Sequence, residues 1–146
     1  LGYYKDEAAT SEALQDGWFH TGDIGYRDPD GFVFVNDRKK DVVISGGENI
    51  YPAELEMVLA GMEEVQTAVV VGRDDAKWGQ VPVAVIIPQP GAQIERETIL
   101  RKFDGVLARF KHPKDVVVVE DLPSNAMGKI QKFAVRTMIN EMGSGK

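Results

Sequence analysis

Cysteine is absent from all 146 residues. Disulfide bridges and thiolate metal sites are therefore excluded, a composition that fits a reducing compartment. The two histidines, His20 and His112, have no second ligand at metal-binding spacing, so no metal residue is assigned. Long apolar runs are lacking too. None approaches the roughly 20 residues that a helix needs to cross a bilayer, and the opening residues do not follow the charged-then-apolar order of a secretory signal. A cytoplasmic location with no transmembrane segment is the expectation. Nor is there an excess of positive charge: 17 Lys and Arg stand against 23 Asp and Glu, a net charge of −6. With its basic residues dispersed, the chain is a poor match for a phosphate backbone, and nucleic acid is excluded as a partner. No internal repeat or low-complexity stretch occurs.

What is present is enough apolar sequence, 43% of the chain, to bury one core with a small appendage. Residues 5 to 15 favour a short helix ending near Gly17. Asp28-Pro29-Asp30-Gly31 is a turn between two short apolar segments, Ile24 to Arg27 and Phe32 to Val35, and reads as a β-hairpin. Trp18, Phe19, Tyr26, Phe32 and Phe34 read as core and hairpin packing. After Asn36 the sequence becomes charged, placing a boundary at Asp37 to Lys40. Val42 to Ser45 then reads as a strand, and Ala53 to Gly61 as a helix with Leu55, Val58, Leu59 and Met62 at helical spacing. Val65 to Gly72 and Gln80 to Pro88 are β-branched strands. Glu95 to Ala108 carries Ile99, Leu100, Phe103, Val106 and Leu107 on one side of a helix. A strand at Val116 to Val119 and a helix at Phe133 to Met142 complete an α+β domain with a central β-sheet flanked by helices.

Three blocks carry the chemistry. Residues 37 to 56 run from the charged Asp37-Arg38-Lys39-Lys40 through a short strand to Gly46-Gly47-Glu48, then to a helix with Pro52 and Glu54 in its first turn. The two glycines permit φ > 0 and the close approach of a ligand to backbone. Pro52 suits a helix start, and Glu54 and Glu56 sit where the helix dipole favours acids. Upstream stands Gly17-Trp18-Phe19-His20-Thr21-Gly22-Asp23-Ile24-Gly25. Downstream stands Leu122-Pro123-Ser124-Asn125-Ala126-Met127-Gly128-Lys129-Ile130. Lys129 is not a P-loop lysine, because no glycine stands five residues before Gly128 and Ile130 replaces the required Ser or Thr.

In order and spacing these blocks resemble the adenylate-forming superfamily of acyl-CoA synthetases, adenylation domains and luciferases, most of all fatty-acid and aryl-acid CoA ligases. The resemblance implies that residues 1 to 37 are the tail of a large adenylation domain and residues 38 to 146 its mobile C-terminal domain. It implies a parent reaction of carboxylate with ATP to acyl-AMP, then acyl transfer to CoA. Lys129 would drive adenylation; taken alone it is a solvated turn lysine in a mobile loop. Asp23 would bind the ribose hydroxyls of ATP or AMP with Arg38 beside it; taken alone they are an Asx-type turn and a surface arginine. Lys40 would be the hinge; taken alone it belongs to a solvated charge run. Gly46, Gly47 and Glu48 would wall the CoA tunnel; taken alone they make a tight β-to-α turn. Ser124 departs from the basic residue that many relatives carry there, which weakens any secondary phosphate or CoA contact.

The phosphate loop, the ligands for Mg²⁺ and the acyl pocket of such enzymes are not in this sequence. A fragment, inactive alone, whose partners are its own N-terminal domain, a small-molecule carboxylate and CoA, is therefore expected. The alternatives are a non-catalytic interaction domain that keeps the fold, or an adenylation domain acting on a carrier protein. Retention of Asp23, Arg38 and Lys129 together speaks against the first, and the wording of the Gly46-Gly47 loop against the second.

Overall fold

A computed structural model describes residues 2 to 143, which divide into two compact units between Lys40 and Asp41. The first begins with helix α1, Glu7–Ala13, whose start is fixed by the Asp6 carboxylate accepting the Ala9 N–H at 2.9 Å. The helix ends earlier than expected because Asp16 and Gly17, both at positive φ, close a two-residue hairpin between β1, Leu14–Gln15, and β2, Trp18–Phe19. A second hairpin pairs β3, Asp23–Arg27, with β4, Val33–Arg38, in antiparallel register from Asp23↔Arg38 to Arg27↔Val33. Its turn is held by Asp28, whose carboxylate accepts the Phe32 N–H at 2.8 Å. Tyr26 and Phe34 stack across the strands with ring centroids 5.1 Å apart.

No described residue of this first unit is buried. Trp18 is 76% exposed and Phe32 67%, with Phe19, Tyr26 and Phe34 also exposed, so the expected core role of these five aromatics fails. The reason is geometric. Isolated two-stranded ribbons have no second layer to cover a face; only the hairpin stacking of Tyr26 on Phe34 survives.

A 3₁₀ turn at Lys39–Asp41 leads to the second unit. Here β5, Val43–Ser45, folds back on β6, Glu48–Ile50, across Gly46 and Gly47 at φ 61° and 88°. The glycines thus make a two-residue β-hairpin, not a turn directly into a helix. Two consecutive positive φ values match the twist of antiparallel strands, and the hairpin lets Val43 and Ile50, directly opposite each other, both become fully buried. Helix α2, Pro52–Ala60, follows with Leu55 and Leu59 buried. Strands β7, Val65–Asp75, and β8, Gly79–Pro88, form a long hairpin.

The stretch expected as one helix over 95 to 108 is a six-residue helix, α3, Arg96–Arg101, followed by turns. Gly105 adopts φ 74° and the Val106 and Leu107 N–H groups both donate to the Phe103 carbonyl at 3.1 Å. The bend still buries Ile99 and Phe103 completely while Val106 turns outward. Strand β9, Asp115–Val118, pairs parallel with β8, and helix α4, Lys132–Gly143, closes the described chain.

The sheet runs β6-β5-β8-β7 with β9 beside β8. Alternation along its central strands builds two cores. Val70, Ala84 and Ile86 face Leu55, Leu59, Ile99 and Phe103, whereas Val69, Val71, Val83 and Val85 face Leu122, Val135 and Ile139. The fold is α+β, a central sheet with helices on both faces.

Candidate functional site

In the first unit, the hairpin register places Asp23 at the start of β3 opposite Arg38 at the end of β4. Arg38 Nε lies 2.9 Å from Asp23 Oδ1, and Arg38 Nη1 donates to the Thr21 carbonyl at 3.2 Å. The Thr21 hydroxyl in turn accepts the Asp23 N–H at 3.1 Å, and the Lys39 N–H donates to the Gly22 carbonyl at 2.8 Å. Asp23 is therefore a strand residue with an arginine partner rather than the Asx turn it resembles in isolation. Both side chains are partly open to solvent, so the pair contributes little to stability. What it provides is an oriented carboxylate with acceptor oxygens that vicinal hydroxyls can reach. Lys40 stands in the 3₁₀ turn immediately before the division between the units.

In the second unit, the Gly46 N–H donates to the Trp78 carbonyl at 2.8 Å. Glu48 is exposed beside the turn and pairs in register with Ser45. Glu54 and Glu56, expected to act on the helix dipole, are engaged by lysines from distant segments. Lys111 pairs with Glu54, while Glu56 binds Lys132 at 2.8 Å and accepts the Val70 N–H at 2.8 Å. These carboxylates fasten α2 to the rest of the unit.

The loop that presents Lys129 is closed by its own residues. Ser124 and Ile130 form an isolated antiparallel bridge. Between them Asn125 Oδ1 accepts the Met127 and Lys129 N–H groups at 3.0 and 2.9 Å, and the Asn125 N–H donates to the Lys129 carbonyl at 2.9 Å. Gly128 takes φ 76°, which reverses the chain just before the lysine. Leu122 on one side is buried and Ile130 on the other packs on the same core. Among the described residues no carboxylate pairs with the Lys129 ammonium. The freedom of this lysine thus resides in its four-carbon stem, not in an unstructured backbone. The Ser124 hydroxyl donates to the Leu122 carbonyl at 3.0 Å, a local role.

Three groups were not expected from residue type or spacing. Asn125 braces the Lys129 loop, and Trp78 lies against the Gly46 hairpin. Asp115 accepts from Arg73 at 2.8 Å and Arg96 at 3.1 Å. Burial opposes ionisation of Asp115, but these hydrogen bonds and one from the Val116 N–H hold its carboxyl below the ordinary range. An Asp-Asp-Ala-Lys-Trp-Gly string does signal a turn, yet which loop it abuts depends on tertiary pairing. A cavity of about 460 Å³ lined by Arg73, Asp74, Asp115 and Asn140 contains none of the expected site residues; within it Arg73 pairs with Asp115, and the Asn140 amide donates to Asp74. Among the described residues no three His, Cys, Asp or Glu side chains are grouped to hold a metal. His112 is half-buried with Nε2 2.9 Å from the Leu107 carbonyl, a packing role.

Residues 54–129 match the family model of the AMP-binding enzyme C-terminal domain. The chain is 52% identical over 132 residues to a 2-succinylbenzoate–CoA ligase of Listeria innocua, covering 90% of this chain and 28% of that protein. It is 44% identical over 137 residues to an indoleacetate–CoA ligase of Aromatoleum aromaticum, covering 94% of this chain and 27% of that protein. Among solved structures, the o-succinylbenzoate CoA synthetase of Bacillus subtilis in complex with its acyl-adenylate intermediate matches with a TM-score of 0.86 at 39% identity, covering 92% of this chain and 28% of that one. The chain spans less than a third of the length of each of these proteins.

Proposed function

Because the chain belongs to the AMP-binding enzyme C-terminal domain family, we propose that it supplies the small mobile domain of an ATP-dependent acyl-CoA ligase. In this reading residues 1 to 37 are the tail of the larger adenylation domain and residues 38 to 146 the domain that moves. The unburied aromatics of the first unit support that division, since they offer an apolar surface suited to a larger body. The parent joins a carboxylate oxygen to the α-phosphorus of ATP with departure of pyrophosphate. The CoA sulfur then attacks the acyl carbonyl and AMP leaves. Relatives named for 2-succinylbenzoate and indoleacetate support an aryl carboxylic acid as the substrate class.

The observation that carries the proposal is the self-closed loop that presents Lys129 on a braced backbone. An ammonium on a braced base stabilises the negative charge shared by the entering carboxylate and the α-phosphate, where a preorganised contact is worth most. Asp23, oriented by Arg38, accepts from the ribose hydroxyls. Lys40 is the pivot, and Gly46, Gly47 and Glu48 wall the path of the CoA pantetheine arm. The Mg²⁺ that assists such adenylations does not fit the residues described here, which offer no carboxylate or imidazole group of three. Its ligands belong to the larger domain. No helix among the described residues is long and apolar enough to cross a membrane, and a cytoplasmic location forms part of the proposal.

The test is made in the full-length parent. Lys129→Ala should depress acyl-adenylate formation by about 10²-fold or more, the scale for one lost preorganised contact, while thioester formation from supplied acyl-AMP persists. Equal loss in both half-reactions would contradict the assigned role.

A further inference from the structure

We infer that Trp78 is a positioning residue for the thioester half-reaction, holding the Gly46-Gly47 hairpin from beneath in its CoA-facing shape. The inference rests on the proposed role of that hairpin. Its basis is a set of contacts that join two hairpins otherwise paired at a single register position, Ser45↔Gly79. Across this thin seam the Gly46 N–H donates to the Trp78 carbonyl at 2.8 Å, and the Ile44 N–H donates to Gln80 Oε1 at 3.3 Å. The indole itself lies against Gly46. A methyl group added at Gly46 would stand 2.8 Å from Trp78 Cε3 and 3.1 Å from Cζ3, whereas one added at Gly47 would meet nothing within 4 Å. Of the two glycines, one is thus required by its φ and by the tryptophan, the other by φ alone.

Trp78 is itself fixed from behind. Asp75 Oδ1 accepts the N–H groups of both Lys77 and Trp78 at 2.9 Å, closing the turn between β7 and β8. The Lys77 ammonium lies 4.8 Å from the centroid of the indole ring. With 46% of its surface exposed, Trp78 is not a core residue; truncating it removes a support and leaves the buried clusters intact. The Lys129 loop is anchored separately, through Leu122 and Ile130 on the core beneath α4. A loss at Trp78 should therefore reach one half-reaction and spare the other.

The experiment uses Trp78→Ala and Trp78→Phe. Hydrogen exchange at the Gly46 amide is measured, and in the full-length parent adenylation and thioester formation from supplied acyl-AMP are assayed separately. Trp78→Ala is expected to speed Gly46 exchange, raise the KM for CoA and lower thioester formation by about 10- to 100-fold, the scale of a small misplacement of a binding wall. Adenylation should stay within a factor of two or so of wild type, and Trp78→Phe, which keeps a ring over Gly46, should restore most of the loss. In combination with Gly46→Ala, Trp78→Ala should relieve part of the damage that Gly46→Ala causes alone, because the clashing ring is gone. Unchanged Gly46 exchange in Trp78→Ala would overturn the inference whatever the loop does. Faster exchange with an unaltered thioester step would overturn it together with the CoA role of the hairpin, while leaving the Lys129 assignment standing.

Discussion

Asp115 shows how single residues hold the second unit together away from any chemistry. It accepts from Arg73 and Arg96, which draws the ends of β7, α3 and β9 to one carboxylate. Although burial works against its charge, those donors hold its pKa below the ordinary carboxylate range. A carboxyl whose folded-state value is depressed contributes stability that is fully present above its unfolded value and is lost as pH falls through the folded one. Stability measured by thermal unfolding should thus decline below about pH 4, and Asp115→Asn should flatten that decline. The same substitution should destabilise the chain at neutral pH by about 1 to 2 kcal/mol; an unaltered acid profile would count against the network. None of this was legible in the sequence, since Arg73 and Asp115 are 42 positions apart. The family was legible, because the motifs that carry Asp23, Arg38 and Lys129 are dense and local and their spacing survives without knowledge of the fold.

At the scale of elements, strong periodicity succeeded and local composition alone did not. The hairpin of β7 and β8 and the helices α2 and α4 lie within a few residues of where the apolar pattern put them, because each buries a face against the same sheet. The segment over 95 to 108 misled, since Ile99, Phe103 and Leu107 hold helical spacing even though the backbone leaves the helix after Arg101. The Gly105 turn reproduces that spacing by a different path. Substitution separates the two geometries: Phe103→Ala, at a fully buried site, should cost about 3 to 5 kcal/mol in denaturant unfolding. Val106→Ala, at a site 60% exposed, should change stability by no more than about 0.5 kcal/mol. A large loss at Val106 would show that the segment packs as the longer helix. Strand β6 was missed for a related reason, because a strand of three residues just after a glycine pair is too short to show alternation.

For the whole molecule, the central claim is that one small domain serves two half-reactions with two different loops. Lys129 rests on the core beneath α4, and the Gly46-Gly47 hairpin rests on the turn that carries Trp78. If each loop must enter the reaction in its own orientation, the domain has to rotate, and Lys40 stands where the compact units divide. It lies in a 3₁₀ turn, and proline would fix its φ near −65°. Lys40→Pro therefore removes the freedom of this bond to change between orientations, whereas Lys40→Ala removes the charge and leaves φ and ψ unrestrained. The most direct measurement is the two half-reactions, assayed separately, for both variants of the full-length parent. Lys40→Pro should keep adenylation within a small factor and lose CoA-dependent turnover, while Lys40→Ala should keep both. If Lys40→Ala damages thioester formation as much as Lys40→Pro does, the lysine acts through its charge and the pivot is elsewhere.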